Sequence, residues 1–350
     1  ASGRKRVREI DPVHDPGWLE LAERHPQASV FHTPAWLDAL RRTYGYEPVV
    51  LTTSPSAGQI ANGVVLCRVS SWLTGRRMVS LPFTDHCEPL VGSNEELRCI
   101  LATLRDERSR KRWRYIEVRP VENDLSVFPG FNKSRTFCLH RLDLRPALED
   151  LFRGFHKDCV QRKIWRAERE ELTYEVGRSE PLLEKFYHLL VLTRRRQLSL
   201  PQPLAWFRNL IATMADKLKI HVVSKGGRPV ASILTLSYKA TLVYKYGCSD
   251  KRFSNLGGTH LIFWRAIQQA KHDGAVELDM GRSDWSDAGL IKFKDRWGAT
   301  PSVLTYWRYG DAMTQRASAL SNAPMARRIF GYIPNGLLAT TGTLLYRHVG

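Results

Sequence analysis

The stretch KIHVVSKGGRPVASILTLSY, residues 219–238, decides the fold class of this chain. Two apolar segments, 219–224 and 230–238, flank a Lys-Gly-Gly-Arg-Pro turn. Paired glycines supply the positive φ angles of a tight hairpin turn at little steric cost. Residues 241–248 (TLVYKYGC) are again rich in β-branched and aromatic side chains. The pattern therefore predicts a meander of three strands.

A helix and a further strand follow this meander. Residues 259–272 (THLIFWRAIQQAKH) repeat apolar side chains at helical spacing, and Gly274 provides a C-terminal stop. Residues 275–281 (AVELDMG) have the composition of a strand. The predicted order is three strands, a helix and a strand.

The same order occurs nearer the N-terminus. The elements predicted there are a helix at 34–44, strands at 48–52, 60–69 and 77–82, a helix at 94–108 capped by Asn94, and a strand at 113–118. Between the two copies, helices are predicted at 148–171, 181–197 and 203–217. A repeat this long indicates duplicated domains and not a solenoid.

The length of 350 residues also suits two domains. The sequence thus predicts an α/β (α+β) protein with two tandem domains, each a mixed sheet flanked by helices. We place the N-terminal domain at 1–145, the C-terminal domain at 146–310 and a helical extension at 311–350.

Composition limits the function classes. The formal charge of +18 favours a polyanionic partner such as tRNA, a phosphorylated nucleotide or an acidic lipid surface, although general solubility explains it equally well. No apolar run of membrane-spanning length and no secretory signal is visible, so we expect a cytoplasmic protein. The six cysteines form no Cys-x-x-Cys pair, which argues against a zinc ribbon or a disulfide framework.

The loop before the helix at 259–272 is a candidate anion site. Arg252 is followed by Gly257, Gly258 and Thr259, where the helix begins. Glycines let a ligand approach the backbone, and the first helical turn offers unpaired N–H groups with a positive dipole end. The alternative is a simple turn with good helix entry.

A second candidate group follows the strand at 275–281. Asp279 and Arg282 come at the end of this strand, and Lys294 lies in the basic cluster that follows. Charged residues at strand ends commonly face a cleft in α/β folds, so Arg282 and Lys294 are candidates for holding phosphates or polarising a carbonyl. A structural ion pair of Asp279 with Arg282 or Lys294 is the alternative.

Two further groups are less specific. Asp85, His86 and Glu88 follow a predicted strand. They form either a general-base cluster or a turn without a chemical role. Asp and His without a third ligand are weak evidence for a metal site. Arg162 and Lys163 lie on the basic helix predicted at 148–171, which is a phosphate- or RNA-binding face or simply a solvated one.

Several of these motifs occur in an order typical of one family. They are Phe31–Trp36, Ser80–Asp85, Arg162–Glu168, Tyr246–Asp250, Asp279–Ser283, Phe293-Lys294 and Trp297-Gly298. In this order the chain resembles the FemABX-like acetyltransferase group of the GNAT superfamily. The tail, with Ile333-Pro334, Gly342 and Arg347, is similar to FemAB-type members that accompany exopolysaccharide and exosortase gene clusters.

The resemblance implies tandem GNAT domains with a cleft between them and metal-free transfer of an acyl or aminoacyl group to an amine. The donor implied is an acyl-CoA or an aminoacyl-tRNA. The acceptor we expect is an amine of a cell-envelope or exopolysaccharide precursor, phosphorylated or lipid-linked. Two competing hypotheses are a non-catalytic RNA-binding or polysaccharide-assembly scaffold and a peripheral protein at the inner face of the membrane.

The chemistry of amide formation assigns provisional roles. Asp250 or Asp279 would orient or deprotonate the amine, and Tyr246 would donate a proton to the leaving group. Arg282 and Lys294 would bind phosphate or the developing oxyanion. Arg162 and Lys163 would hold a phosphate of the donor or the acceptor. Asp85 and His86 are candidate substrate contacts, and Arg252, Gly257, Gly258 and Thr259 are candidate donor contacts.

Overall fold

A computed structural model describes residues 6–310, 341, 343 and 345–348. These residues form two compact units: unit 1 holds 6–136, 304–310 and 345–348, and unit 2 holds 137–303, 341 and 343. Two strands begin in one unit and end in the other, β6 (Phe131–Asp143) and β12 (Thr300–Gly310). The domain boundaries at 145/146 and 310/311 stay a prediction.

Unit 1 contains a mixed sheet with helices. Its other strands are β1 (Arg8–Ile10), β2 (Glu47–Thr52), β3 (Val64–Ser71), β4 (Gly75–Val79) and β5 (Tyr115–Val118), and its helices are α1 (Pro16–Arg24), α2 (Pro34–Tyr44) and α3 (Asn94–Lys111). The sheet order is β1-β2-β3-β4-β5-β12, with β4 and β5 parallel and the other pairs antiparallel.

Unit 2 repeats this pattern. Its other strands are β7 (Thr173–Gly177), β8 (Leu218–Lys225), β9 (Arg228–Tyr238), β10 (Thr241–Ser249) and β11 (Glu277–Ser283). Its helices are α4 (Leu148–Gly154), α5 (Arg162–Arg169), α6 (Glu180–Arg196), α7 (Leu204–Met214), α8 (Gly258–His272) and α9 (Ala288–Asp295). The order is β6-β11-β10-β9-β8-β7, and β10 and β11 are the parallel pair.

The two units share one connection that confirms the predicted repeat. In each unit a helix links the two parallel neighbours, since α3 joins β4 to β5 and α8 joins β10 to β11. Parallel neighbours need such a crossover, because a tight turn cannot join them. The prediction of an α/β fold in which a mixed sheet is flanked by helices is confirmed.

The decisive hairpin has the turn that its glycines demand. Gly226 and Gly227 adopt φ angles of 54° and 76°, as a tight two-residue turn requires. The predicted inner face of α8 is also confirmed, because Leu261, Trp264 and Ile267 are buried in one core cluster with residues of β8–β11. Helix α8 therefore lies fixed on the sheet of unit 2.

Three local predictions are wrong. Ser93, and not Asn94, caps α3, because its hydroxyl accepts the Glu96 N–H. The single helix at 148–171 is interrupted by a π-helical turn at Lys157–Gln161, where Phe155 leaves the helix to pack against Trp297. The loop at 249–258 contains a 3₁₀ helix at Lys251–Leu256. Residues 288–295, which include the basic cluster around Lys294, form α9, for which no helix was predicted. Strands β1, β6, β7 and β12 and helix α1 were not predicted.

Among the described residues, no helix is both long enough and apolar enough to span a bilayer. Within the same residues, no group of three or more His, Cys, Asp or Glu side chains is placed to hold a metal ion. All six cysteines are free thiols.

Candidate functional site

A cavity of about 240 Å³ opens at the N-terminus of α8 in unit 2. It is lined by Lys163 of α5, Val230 and Ala231 of β9, Ser249 and Asp250 after β10, Phe253 and Ser254 of the 3₁₀ helix, Gly258, Thr259 and His260 of α8, and Phe293 of α9. The structure thus brings Lys163, Asp250, Gly258 and Thr259 together, four of the residues singled out in the sequence.

The first turn of α8 leaves two donors open. The carbonyl oxygen of Gly257 accepts from the N–H groups of His260 and Leu261, at 2.9 and 3.1 Å. The N–H groups of Gly258 and Thr259 meet no acceptor in residues 6–310 or in the described part of the tail. Because both residues line the cavity, the positive end of a 15-residue helix faces it.

The equivalent helix of unit 1 is closed at its N-terminus. The Ser93 hydroxyl accepts the Glu96 N–H, and the Glu96 carboxylate accepts the Gly92 N–H at 3.0 Å. Glu95 and Glu96 also place negative charge in the first turn of α3. An anion would be repelled there, whereas the cap of α8 is Gly257, which has no side chain. The duplicated fold therefore offers this anion site in unit 2.

Gly257 has a second role, in packing. Its φ of +81° lies in the left-handed region, which glycine adopts most easily. A Cβ atom at this position would lie within 3.0 Å of the Lys163 carbonyl oxygen, a separation that real Cβ atoms essentially never show. Gly257 therefore lets the start of α8 approach the backbone of α5, and this contact holds Lys163 beside the open N–H groups.

Asp250 and Arg252 form a local ion pair. Asp250 is 6% exposed and caps the 3₁₀ helix by accepting the Arg252 N–H at 3.0 Å. The Arg252 guanidinium also bonds both carboxylate oxygens, with its Nη2 atom at 2.6 Å from Oδ2. The hydrogen bonds from Arg252 lower the pKa of Asp250 below its usual value. Asp250 is therefore ionised, weakly basic and engaged in shaping the loop.

A basic groove of about 410 Å³ lies along α5, and Lys163 lines both this groove and the cavity. It is lined by Arg162, Lys163, Arg166, Arg169 and Glu170. Arg162 pairs with Asp158 at 2.9 Å and Arg166 with Glu170 at 3.6 Å. Lys163 and Arg169 have no acidic partner within 4.0 Å in the part of the chain that the structure describes. The groove therefore retains cations that are free to bind an anion.

His260 lies in the wall of the cavity as a neutral ring. It is 9% exposed and stacks on Trp297, with ring centroids 6.1 Å apart. Burial, together with the nearby charges of Lys163 and Arg296, lowers the pKa of His260 to about 3. At neutral pH its imidazole offers one donor and one acceptor without adding charge.

The low pKa of His260 predicts a pH-dependent loss of stability. The unfolded state takes up a proton near pH 6.5, whereas the folded state resists it until about pH 3. We therefore expect the free energy of unfolding to fall below pH 6.5 by up to about 1.4 kcal/mol per pH unit from this residue. His260→Asn should reduce the slope between pH 6.5 and pH 4 in urea unfolding, while an unchanged slope would contradict the assignment.

A second group of site residues surrounds the bulge of β11. The pairing of β11 with β6 shifts register between Asp279 and Arg282, and Gly281 adopts a φ of 70° there. The Asp279 carboxylate accepts the Gly281 N–H at 2.7 Å, and the Lys294 ammonium donates to the Gly281 carbonyl oxygen at 2.7 Å. Asp279 is 3% exposed and Lys294 1% exposed. The structure thus brings the Asp279 carboxylate and the Lys294 ammonium group to the backbone of one residue, Gly281.

A histidine lies beside this group. The His140 Nε2 atom is 3.0 Å from the Asp295 carboxylate, and the charge of Lys294 lowers the pKa of His140. Burial lowers the pKa of His140, and Lys294 opposes its protonation further, although the hydrogen bond to Asp295 partly offsets both. Sequence analysis missed His140, because it lies on an unpredicted strand, β6, far along the chain from Lys294.

Four of the other predicted site residues do not line the cavity beside α8: Tyr246, Arg282, Arg252 and Gly257. The Tyr246 hydroxyl accepts a hydrogen bond from Trp206 Nε1 at 2.9 Å, so it points to α7 and not to the cavity beside α8. Arg282 is half-buried, with its guanidinium 4.3 Å from the ring centroid of Phe137. Arg252 and Gly257 adjoin the cavity without lining it.

Asp85 and His86 lie in a tightly held loop of unit 1. The Asp85 carbonyl oxygen accepts from the Tyr306 hydroxyl at 2.5 Å, and His86 packs edge-on against Phe31. Arg119 fixes the same loop by donating to the carbonyl oxygens of Leu81 and Thr84. These contacts support the interpretation of the segment as a structured turn.

Sequence reasoning also missed the apolar walls of the cavity. The sequence places Val230 and Ala231 on a strand, Phe253 in a loop, His260 on a helix and Phe293 within a basic cluster, without a binding role for any of them. Phe293 precedes Lys294 in one of the family motifs, and that adjacency was the only signal available for it.

Comparison with known proteins bears on this site. The family model described as an acetyltransferase (GNAT) domain matches residues 155–295, from directly after α4 to the end of α9. No curated protein sequence matches the chain.

Solved structures show the same fold across both units. FemX has a TM-score of 0.70 and 14% identity, covering 90% of this chain and 99% of that one. The C-terminal domain of a putative lysylphosphatidylglycerol synthetase from Agrobacterium fabrum has a TM-score of 0.55 and 15% identity, covering 89% and 95%. A tandem GNAT protein from the clavulanic acid biosynthesis pathway has a TM-score of 0.55 and 11% identity, covering 87% and 98%. Residues 155–295 are therefore a GNAT-type acetyltransferase domain, and the chain that carries it is an acyltransferase with the fold of FemX and of tandem GNAT proteins.

Proposed function

We propose that this protein is an N-acyltransferase that moves an acyl or aminoacyl group from an activated, phosphorylated donor to an amine. The observation that carries the proposal is the open N-terminus of α8, where the unpartnered N–H groups of Gly258 and Thr259 line a cavity beside Lys163. Two backbone donors, a helix dipole and a free ammonium group form a strong site for a pyrophosphate.

An acyl-CoA-type donor suits the rest of the cavity. Its pyrophosphate would lie against Gly258 and Thr259, with Lys163 as the counter-ion. The apolar arm that carries the thioester would lie along Val230, Phe253 and Phe293, which form the wall next to the same donors. The basic groove of Arg162, Arg166 and Arg169 would accept further phosphate groups of the donor.

The reaction needs a neutral amine and a stabilised oxyanion. The amine nitrogen attacks the acyl carbon, the carbonyl oxygen becomes an oxyanion, and the bond to the leaving group breaks as the nitrogen loses a proton. We assign the oxyanion or leaving-group charge to Lys294 and the orientation of the amine to Asp279, because these two charged residues are buried and both bond the backbone of Gly281. Arg282 and Tyr246 stay predictions, and Asp250 would act by shaping the donor loop.

For the acceptor we propose an amine of a cell-envelope or exopolysaccharide precursor, phosphorylated or lipid-linked. One structural neighbour is the C-terminal domain of a putative lysylphosphatidylglycerol synthetase. An aminoacylated lipid is therefore one candidate class of product. An aminoacyl-tRNA is the alternative donor, and the formal charge of +18 would then attract the RNA. A cytoplasmic location stays a prediction.

Donor binding tests the proposal. Calorimetric titration should compare acetyl-CoA, longer acyl-CoAs, and charged and uncharged tRNA at two salt concentrations. We expect an acyl-CoA to bind with modest salt dependence. A steeply salt-dependent preference for charged tRNA would assign an aminoacyl transferase instead. Binding of neither donor would contradict the proposal and favour the scaffold hypothesis.

Lys163 provides a variant for the same titration. Lys163→Ala should weaken acyl-CoA binding by about 10- to 100-fold, because a charge-assisted hydrogen bond contributes about 1.5–3 kcal/mol. Lys157→Ala is the matched control, since Lys157 is an exposed lysine of the preceding π-helical turn and lines neither the cavity nor the groove. Equal affinities of the two variants would place the donor phosphates elsewhere.

A further inference from the structure

Two apolar side chains project from the turn between β3 and β4 in unit 1. Trp72 is 80% exposed and Leu73 is 44% exposed. We call residues 71–76 the β3–β4 tip. Trp72 is the most exposed of the large apolar side chains that the structure describes. A tryptophan this exposed costs solubility unless something covers it.

Hydrogen bonds of Ser71 and a ring contact with His348 hold the β3–β4 tip in place. The Ser71 hydroxyl is 2.9 Å from His348 Nδ1 and also accepts the N–H groups of Leu73 and Thr74. The His348 ring lies edge-on to Trp72, with centroids 5.5 Å apart. These contacts present the Trp72 indole outward, so its exposure does not come from a disordered loop.

A run of cations lies beside the tip. Residues 108–114, RSRKRWR, contain five arginines or lysines, and we call them the basic segment. Its Arg114 N–H donates to the Arg76 carbonyl oxygen at 2.8 Å, and the Arg114 guanidinium donates to the Thr74 carbonyl oxygen at 3.1 Å. The basic segment and the β3–β4 tip are therefore one surface.

The cations of this surface are largely unneutralised. Lys111 pairs with Glu107 at 3.2 Å. In the described ranges, Arg76, Arg110 and Arg112 are exposed and have no acidic side chain within 4.0 Å. Residues 71–78 (SWLTGRRM) contain no acidic residue. The surface thus combines two exposed apolar side chains with a strongly positive rim.

We propose that the β3–β4 tip and the basic segment dock this protein on an anionic membrane surface. Tryptophan prefers the interface between headgroups and acyl chains, where its ring is desolvated and its N–H stays hydrated. Arginines around it bind anionic headgroups, and one apolar anchor with one polybasic patch gives stable but reversible attachment. Leu73 decides between a membrane and a nucleic acid, because leucine has no ring to stack on a base. This proposal is independent of the donor and acceptor proposed above.

Vesicle co-sedimentation of the full chain tests the proposal. We expect binding to mixed phosphatidylglycerol–phosphatidylcholine vesicles and little binding to pure phosphatidylcholine. Trp72→Ala should weaken binding to the mixed vesicles by about tenfold or more, since it removes a large buried apolar area. Arg76→Glu should also weaken binding, and high salt should reduce the effect of this variant. Trp285→Ala is the matched control, because Trp285 is a 49% exposed tryptophan of unit 2.

Depth quenching adds a direct readout. Trp72→Phe keeps an aromatic anchor, so it should still bind mixed vesicles, but brominated phospholipids should quench its remaining tryptophan fluorescence less than that of the wild type. Folding is monitored by circular dichroism, which an exposed side chain should not alter. The proposal fails if the wild type does not bind mixed vesicles, if Trp72→Ala binds as tightly as Trp285→Ala, or if brominated lipids quench wild type and Trp72→Phe equally. It also fails if Trp72 is required for binding tRNA or for self-association and not for binding vesicles.

Discussion

Replacement of Lys294 by methionine is expected to reduce turnover by about 10²- to 10³-fold, the usual effect of removing one preorganised donor from a developing oxyanion. Methionine has a similar length and volume and no charge, so it removes the ammonium group without leaving a large cavity. Turnover is measured as acceptor-dependent release of thiol from an acyl-CoA, or as aminoacyl transfer if tRNA is the donor.

Lys294 also stabilises the fold, and the two effects have to be separated. Lys294 is 1% exposed, and its ammonium group bonds the Gly281 carbonyl oxygen, which ties α9 to the bulge of β11. Loss of a hydrogen bond from a charged group costs about 1.5–3 kcal/mol of stability, which leaves a domain of ordinary stability folded. Urea unfolding of the variant gives the folded fraction, and turnover is then expressed per folded molecule.

Two variants control for position and charge. Lys292→Met changes an exposed lysine of the same helix and should leave turnover near that of the wild type. Lys294→Arg keeps the positive charge but enlarges a buried side chain, so partial turnover is expected. If Lys294→Met retains wild-type turnover per folded molecule, Lys294 is a structural lysine and the oxyanion is stabilised by another group.

Local patterning predicted most of the fold in unit 2, and for identifiable reasons. The Gly226-Gly227 turn, the alternation of β9 and the inner face of α8 are each fixed by residues close in sequence. The break after α4 could not be predicted in this way. Residues 148–171 have good helix propensity throughout, but Phe155 gains more by packing on Trp264 and Trp297 than the helix gains by continuing.

In the candidate site, too, local features could be predicted from the sequence, whereas contacts between distant residues could not. Gly257, Gly258 and Thr259 were recognisable because an anion site at a helix start is a local feature. His140 and Asp295 meet across β6 and α9, 155 positions apart in the chain, and only the tertiary fold brings them together. The roles of Asp250 and Arg252 were also beyond the sequence, since their bidentate contact depends on the 3₁₀ turn that Asp250 caps.

Replacement of Gly257 by alanine is expected to destabilise unit 2 by at least about 3 kcal/mol. Part of this cost is the left-handed backbone, because alanine at a positive φ is strained by about 1–2 kcal/mol. The rest comes from the new methyl group, which would overlap the Lys163 carbonyl oxygen and force α8 away from α5. The same shift would separate Lys163 from the N–H groups of Gly258 and Thr259, so acyl-CoA affinity should fall together with stability.

Gly274 lies just beyond the C-terminal end of the same helix. Its replacement by alanine measures the cost of the left-handed backbone without the steric overlap. Its φ is +85°, close to the +81° of Gly257, yet a Cβ atom there would meet nothing within 4 Å. Gly274→Ala should therefore cost only about 1–2 kcal/mol in urea unfolding and leave donor affinity unchanged. The difference between the two variants measures the contact between α5 and α8 alone. If both variants lose the same stability and both bind the donor normally, Gly257 serves only as a helix cap, and the approach of Lys163 to the helix N-terminus does not depend on it.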